Sequence, residues 1–170
     1  VAKGCEVFGT AGSDEKWSFL EKDLGLTKAI NYKTCGHLIK SFHSACPNGV
    51  DVYFENVGGS HLEAALSIMR PNGRIALCGM IEQYNDTAPR PGPNNLMAAL
   101  AKSLKIEGFI VSNHSDLSEK FLTDMKSWID SGKMQWKETI DEGIESAPGA
   151  FLKLFKGQNF GKMLVKIADK

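Results

Sequence analysis

The sequence of 170 residues balances Lys plus Arg against Asp plus Glu at 20 each, giving a net charge of zero, with 42% hydrophobic and 24% charged residues. These values fit one globular domain with a sizeable core. They argue against a surface built for nucleic acid or an anionic membrane, which needs a clustered basic face, and no apolar stretch approaches the roughly 18–20 residues of a membrane span.

The chain opens on Val1-Ala2-Lys3-Gly4, without an initiator methionine and without a signal-peptide pattern. It starts as if at the tail of a helix, so a fragment or excised domain is expected. A β-prone run from Glu6 ends in Thr10-Ala11-Gly12. Ser13 then suits a helix N-cap, with Asp14 and Glu15 complementing the helix dipole and Gly25 as the stop. Ala29-Ile30-Asn31-Tyr32 predicts a second strand, and residues 37–45 a helix closed by Pro47-Asn48-Gly49.

The centre of the chain is the stretch 49–84. Two apolar runs, 50–54 and 74–77, flank a segment in which Leu62, Ala65, Leu66 and Met69 recur at helical spacing. Strand, helix, strand is a βαβ unit, which needs a parallel sheet covered on both sides. Ligands of such sheets sit beyond the carboxyl ends of the strands, so Asn56, Gly58, Cys78 and Gly79 are candidate site residues. Residues 82–93, with Pro89, Pro91 and Pro93, predict an irregular and functional loop. Beyond it the pattern predicts a helix over 94–103, a strand over 105–111 and a helix over 117–130 whose inner side carries Phe121, Leu122, Met125, Trp128 and Ile129. A strand over 136–140, a helix over 147–155 and a strand over 163–167 complete the chain. Repeated strand-then-helix order with right-handed crossovers defines a doubly wound α/β parallel sheet.

Cys5, Cys35, Cys46 and Cys78 form no CxxC pair, so reduced thiols of a cytoplasmic protein are preferred to a zinc knuckle or disulfide framework. Cys5 and Cys78 lie in strand-like runs and read as small core residues. His37, His43, His61 and His114 show no metal-ligand spacing and read as helix-surface residues, so no metal site is expected.

Several strings in order carry a family resemblance: Ala11-Gly12-Ser13-Asp14-Glu15-Lys16, Asn31-Tyr32-Lys33, Asp51-Val52-Tyr53-Phe54-Glu55-Asn56-Val57-Gly58-Gly59, Gly73-Arg74-Ile75-Ala76-Leu77-Cys78-Gly79, Asp141-Glu142-Gly143-Ile144-Glu145 and Gly157-Gln158-Asn159-Phe160-Gly161-Lys162. Over essentially its whole length the chain resembles the C-terminal half of a zinc-independent medium-chain dehydrogenase/reductase. The branch is that of the prostaglandin reductases and 2-alkenal reductases. The resemblance implies a Rossmann-like fold lacking its first strand, glycine loop and first helix, because no GxGxxG-type loop is present. In the strand order 3-2-1-4-5-6 the absent strand is central, which implies a gap with unpaired backbone groups. Residues 1–135 would be the partial dinucleotide-binding domain and residues 136–170 a segment returning to a catalytic domain.

The resemblance also implies the chemistry: NADPH as cofactor, and hydride transfer to the activated carbon–carbon double bond of an α,β-unsaturated ketone or aldehyde. Lys16 would contact the 2′-phosphate, a position where NAD enzymes use a carboxylate. Tyr32 would lie at the adenosine phosphate end, and Asn56, Cys78 and Gly79 along the cofactor. Tyr84 would face the substrate and stabilise enolate charge or donate a proton. Phe109, Ile110 and Val111 would flank the nicotinamide, and Asn159 would make a late cofactor contact. Taken without the resemblance, the same residues suit a surface lysine, a rim aromatic, glycine turns, a loop tyrosine, a core strand and a helix-terminating turn. The small-molecule enone or enal and a second copy in a homodimer are the expected partners, and the chain alone is expected to be inactive. The alternatives are a non-catalytic nucleotide-binding or interaction domain, or a portion of a quinone reductase.

Overall fold

The structure, a computed structural model, describes residues 1–168. Strands and helices alternate through most of the chain: β1 (Phe8–Ala11), α1 (Asp14–Lys22), β2 (Lys28–Asn31), α2 (Leu38–Ala45), β3 (Val50–Glu55), α3 (Gly59–Ile68), β4 (Met69–Leu77), α4 (Met97–Ala101), β5 (Lys105–Gly108), α5 (Ser118–Asp130), β6 (Glu138–Glu142), α6 (Ala147–Lys156) and β7 (Lys162–Lys166). Every strand pair is parallel, so the α/β, doubly wound, Rossmann-like class expected from the strand–helix alternation holds. Among the described residues no helix is long and apolar enough to cross a membrane.

The parallel strands form three pieces, β1-β2, β3-β4-β5 and β6-β7. Among the described residues β1 and β3 share no ladder, and the interruption falls where the resemblance implied a gap. Packing joins what hydrogen bonding leaves apart. Phe42 and Cys46 at α2, with Ala64, Ala65 and Ile68 of α3, form one core cluster that receives Phe8 and Ile30 from the first piece and Val50 and Tyr53 from β3. A second cluster joins Leu62, Leu66, Met69 and Ile75. Helix α3 is therefore buried along two stripes, and Leu66 is fully enclosed.

The ends of α3 explain its position. Its N-cap is Gly58, at φ 80° and with no side chain to offer. At the other end the Lys102 amine donates to the carbonyls of Leu66 and Ser67 at 3.0 and 2.9 Å, a cation where the helix dipole is negative. By contrast α1 is capped locally: Ser13 Oγ accepts from Lys16 N at 3.3 Å, as its Ser-Asp-Glu start predicts.

Several expectations are corrected. The helix expected over 94–103 is shortened to α4, because Asn94 N and Asn95 Nδ2 donate to the Glu63 carboxylate and carbonyl instead of entering a helical turn. The strand expected to reach Val111 ends at Gly108. Phe109 N still bonds Leu77 O at 3.2 Å, whereas Val111 already begins a 3-10 segment, Val111–Leu117. The ladder expected from Trp136 starts at Glu138, since Lys162 N first closes the turn on Lys137 O. The stripe of α5 expected to face inward has no buried residue, with Phe121 and Leu122 59% and 65% exposed. Cys5 and Cys78 are exposed and the core thiol is Cys46, whose pKa is raised by burial. His61, expected on a helix surface, is buried, and His37 precedes α2 rather than lying in it.

The Lys102 contacts generate a prediction. Lys102→Met leaves two carbonyls at the end of α3 to water alone and should lower unfolding free energy by about 1 kcal/mol, read from urea melts. No change would mean that solvent replaces the amine at no cost.

Candidate functional site

The carboxyl ends of β3 and β4 lie side by side, since Glu55 pairs with Leu77 in the parallel ladder. Beyond them the chain folds back on itself. Cys78 N and Gly79 N both donate to Glu55 O, at 2.9 and 3.1 Å; Ile81 N donates to Asn56 O at 3.0 Å and Glu82 N to Val57 O at 2.9 Å. This lays a short 3-10 turn, Ile81–Gln83, against residues 56–57 and delivers Tyr84 at its end. The Tyr84 ring is 66% exposed, yet its hydroxyl comes within 3.3 Å of where a Cβ on Gly79 would sit, with Asn56 O and Oδ1 each 3.6 Å from that point. Asn56, Gly79 and Tyr84 therefore meet.

Beneath them lies Glu55, fully buried. Its Oε1 accepts from Val57 N and from Gly58 N, the latter at 2.9 Å, while Oε2 has no hydrogen-bond partner. Burial, and then the adjacent Glu55 charge, push the Tyr53 phenol far above its ordinary pKa, so it stays neutral.

A second group gathers at the ends of β1 and β2. Gly12 has room only for hydrogen, because the Tyr32 hydroxyl lies 2.7 Å from its would-be Cβ. Lys16 Nζ donates to Gly157 O at 2.7 Å, bringing Lys16 to the turn that holds Asn159. In that turn Asn159 Nδ2 donates to Gly161 O at 2.7 Å, and Gly157, at φ 63°, ends α6. Phe160 meets Phe19 edge-on at 5.3 Å, with Lys137 Nζ 4.8 Å from both rings. Asp14 is turned to the Asn31 amide at 2.7 Å, so its carboxylate is engaged with a neutral partner.

The second group reaches α3 through His61, whose ring meets Tyr32 edge-on at 5.1 Å and Phe42 at 6.3 Å; neither imidazole nitrogen has a hydrogen-bond partner. Sequence reasoning missed it, though His61, Ala64, Ala65 and Ile68 follow the i, i+3, i+4, i+7 spacing of a buried stripe. It also missed Glu55, which bonds the local amides of Val57 and Gly58, and Glu82, whose role depends on a tertiary neighbour. Of the remaining candidates, Cys78 lies beside Gly79 and is exposed. Phe109 stacks edge-on against Phe54 at 6.0 Å and His114 at 6.1 Å, and Ile110 and Val111 are exposed.

A parallel α/β sheet with glycines and polar side chains gathered beyond adjacent strand ends defines a nucleotide-binding type of domain. The comparisons make it particular. Residues 1–127 match the family model described as zinc-binding dehydrogenase, and the chain belongs to that family. It is 45% identical over 165 residues to prostaglandin reductase 1 of Rattus norvegicus, covering 96% of this chain and 50% of that protein. It is 42% identical over 165 residues to the NADP(+)-dependent 2-alkenal reductase of Nicotiana tabacum, covering 97% and 48%. The crystal structure of CurA in complex with NADPH from Vibrio vulnificus superimposes with a TM-score of 0.91 at 37% identity, covering 99% of this chain and 51% of that one. The chain thus spans about half the length of the curated relatives it matches. The family description names zinc, but among the described residues no group of three or more His, Cys, Asp or Glu side chains could hold a metal ion. The residues present do not fit such a site.

Burial of His61 sets a pH dependence. Loss of solvation lowers its pKa below the ordinary 6.5, outweighing the opposite pull of Glu82 and Glu55. The unfolded chain therefore binds the proton more readily. The stabilising contribution is complete above about 6.5 and is lost as pH falls towards the lowered folded value. Thermal melts between about pH 7.5 and 5 should show Tm falling on acidification, and His61→Phe should flatten that dependence. An unchanged slope in the variant would assign it to other groups.

Proposed function

We propose that this chain is the cofactor-binding half of an NADPH-dependent oxidoreductase that reduces the activated carbon–carbon double bond of α,β-unsaturated ketones or aldehydes. The observation that carries the reading is the meeting of Tyr84, Gly79 and Asn56 beyond adjacent strand ends, supported by the likeness to the NADP-dependent relatives above. Asn56, Cys78 and Gly79 offer backbone and amide groups at one strand end, and Gly12, Tyr32 and Lys16 offer a polar rim at the other, so these residues fit a dinucleotide in part. The nicotinamide group, when bound, supplies the hydride.

The chain's own residues do the rest. The Tyr84 hydroxyl donates to the carbonyl oxygen of the substrate and stabilises the enolate charge that grows there. Asn56 offers an amide for orientation, and Cys78, Phe109, Ile110 and Val111 bound the same edge. Lys16 presents an exposed amine whose present acceptor, the Gly157 carbonyl, is a weaker partner than a phosphate dianion. Asn159 holds the turn that faces Lys16. Residues 136–170 we read as the segment that returns to the other half, a second copy as a partner, and a cytoplasmic location as consistent with four free cysteines.

One observation favours a second reading, a non-catalytic chain that binds another strand or chain: Val52 and Phe54 of β3 are 54% and 57% exposed beside an unpaired edge. Enone-dependent loss of NADPH absorbance, measured with the full polypeptide encoded by the gene, separates the two. Turnover is expected, and its absence with simple enones and enals would reject the reductase. Tyr84→Phe should lower kcat by about 10- to 100-fold with little change in NADPH affinity. Lys16→Ala should weaken NADPH about tenfold while leaving NADH unaffected.

A further inference from the structure

We propose that Glu82 is the positioning residue of this site: its carboxylate caps the N-terminus of α3 from across the fold and thereby holds Tyr84 against Gly79 and Asn56. For its catalytic consequence the inference rests on the reductase reading; the capping itself does not.

A helix start needs acceptors for its first amides, and Gly58 and Gly59 provide none from side chains. Glu55 takes the amides of Val57 and Gly58, which lead into the helix, and a second carboxylate reaches the helix itself. Glu82, 22 residues further along the chain, accepts from Ser60 N at 3.2 Å, with Ser60 Oγ at 3.5 Å. A Cβ on Gly59 would fall on the Glu82 carboxylate, so the missing side chain at residue 59 is what admits Glu82 to the helix end. An anion there complements the positive end of the dipole. The other oxygen of Glu82 accepts from Arg90 at 2.9 Å, and Arg90 also reaches Asp86 at 2.7 Å; the Glu82 and Arg90 side chains are 30% and 37% exposed. The irregular loop is thus closed on itself and buttoned to α3 through one side chain. Tyr84 stands two residues beyond, its N–H on Ile81 O at 3.2 Å. Releasing Glu82 frees the turn that aims the phenol, leaving only its backbone bonds to Asn56 and Val57.

The test uses Glu82→Ala and Glu82→Gln, since glutamine keeps an acceptor in the same place. Amide hydrogen exchange followed by NMR on the chain without nucleotide should show Ser60 and Ile81 exchanging about fivefold faster or more in Glu82→Ala, with β4 and β5 unchanged and most protection restored in Glu82→Gln. Unchanged exchange at Ser60 and Ile81, or an equal rise throughout β4 and β5, would overturn the capping role. In the full polypeptide, Glu82→Ala should lower kcat for an enone about tenfold with KM for NADPH nearly unchanged, and Glu82→Gln should recover most of it. Wild-type turnover with an unaffected Glu82→Ala would overturn the positioning role and leave the reductase reading intact. Faster exchange at Ser60 without any wild-type turnover would sustain the capping and reject the reductase.

Discussion

The structure depends on how α3 is completed at both ends. Its local sequence supplies neither cap: Gly58 and Gly59 open it, and Met69 closes it with a residue already in β4. The charges its dipole calls for come from elsewhere, Glu82 at the amino end and Lys102 at the carboxyl end, while Glu55, three residues before the N-cap, holds the amides of Val57 and Gly58 that lead into the helix. A helix finished this way cannot be placed independently of its neighbours. The end of β3, the loop after β4 and the segment after α4 are all tied to it, and both hydrophobic clusters include it.

Function follows from that constraint. The strand ends of β3 and β4 would form a crevice in any parallel sheet, but the 3-10 turn at Ile81–Gln83 must return to Asn56 and Val57 before Tyr84 can reach Gly79. Glycine at residues 58, 59 and 79 sits in close contact: a Cβ at residue 59 would fall on the Glu82 carboxylate, one at residue 58 would lie 3.0 Å from Met80 and one at residue 79 3.3 Å from the Tyr84 hydroxyl. His61 and Tyr32 connect α3 to the ends of β1 and β2, which hydrogen bonding leaves separate from β3. The two sheet pieces are thus held together through α2 and α3 rather than by one continuous ladder.

Much of this was legible before any coordinates because it is local. The Ser13 cap, the spacing of Leu62, Ala65, Leu66 and Met69, and the glycine stop at Gly157 each depend on residues within a turn or two of one another. Asn56 and Gly79 were marked by their place at strand ends of a βαβ unit, whereas Tyr84 was named only through the family resemblance. What escaped the sequence is set by distant partners. Glu82 reads as a solvated loop acid until Ser60 is placed beside it. His61 reads as a surface histidine until Tyr32 and Phe42 close on it. The α5 stripe of Phe121 and Leu122 has helical periodicity, but periodicity does not say what covers a face, and here it is exposed. The thiols went astray for the same reason: strand-like surroundings pointed to Cys5 and Cys78, whereas burial falls on Cys46 between α2 and α3.

We propose that NADPH lies along the amino end of α3 and reaches to Lys16 and Tyr32. Amide chemical-shift mapping of the 170-residue chain, titrated with NADPH and separately with NADH, tests it most directly, because it reports location even when affinity is weak. The account predicts shifts concentrated at Gly12, Lys16, Tyr32, Asn56, Gly79 and Tyr84, with the Gly12, Lys16 and Tyr32 signals responding to NADPH and not to NADH. Shifts confined to other surfaces, or identical responses to both nucleotides at Lys16, would contradict it.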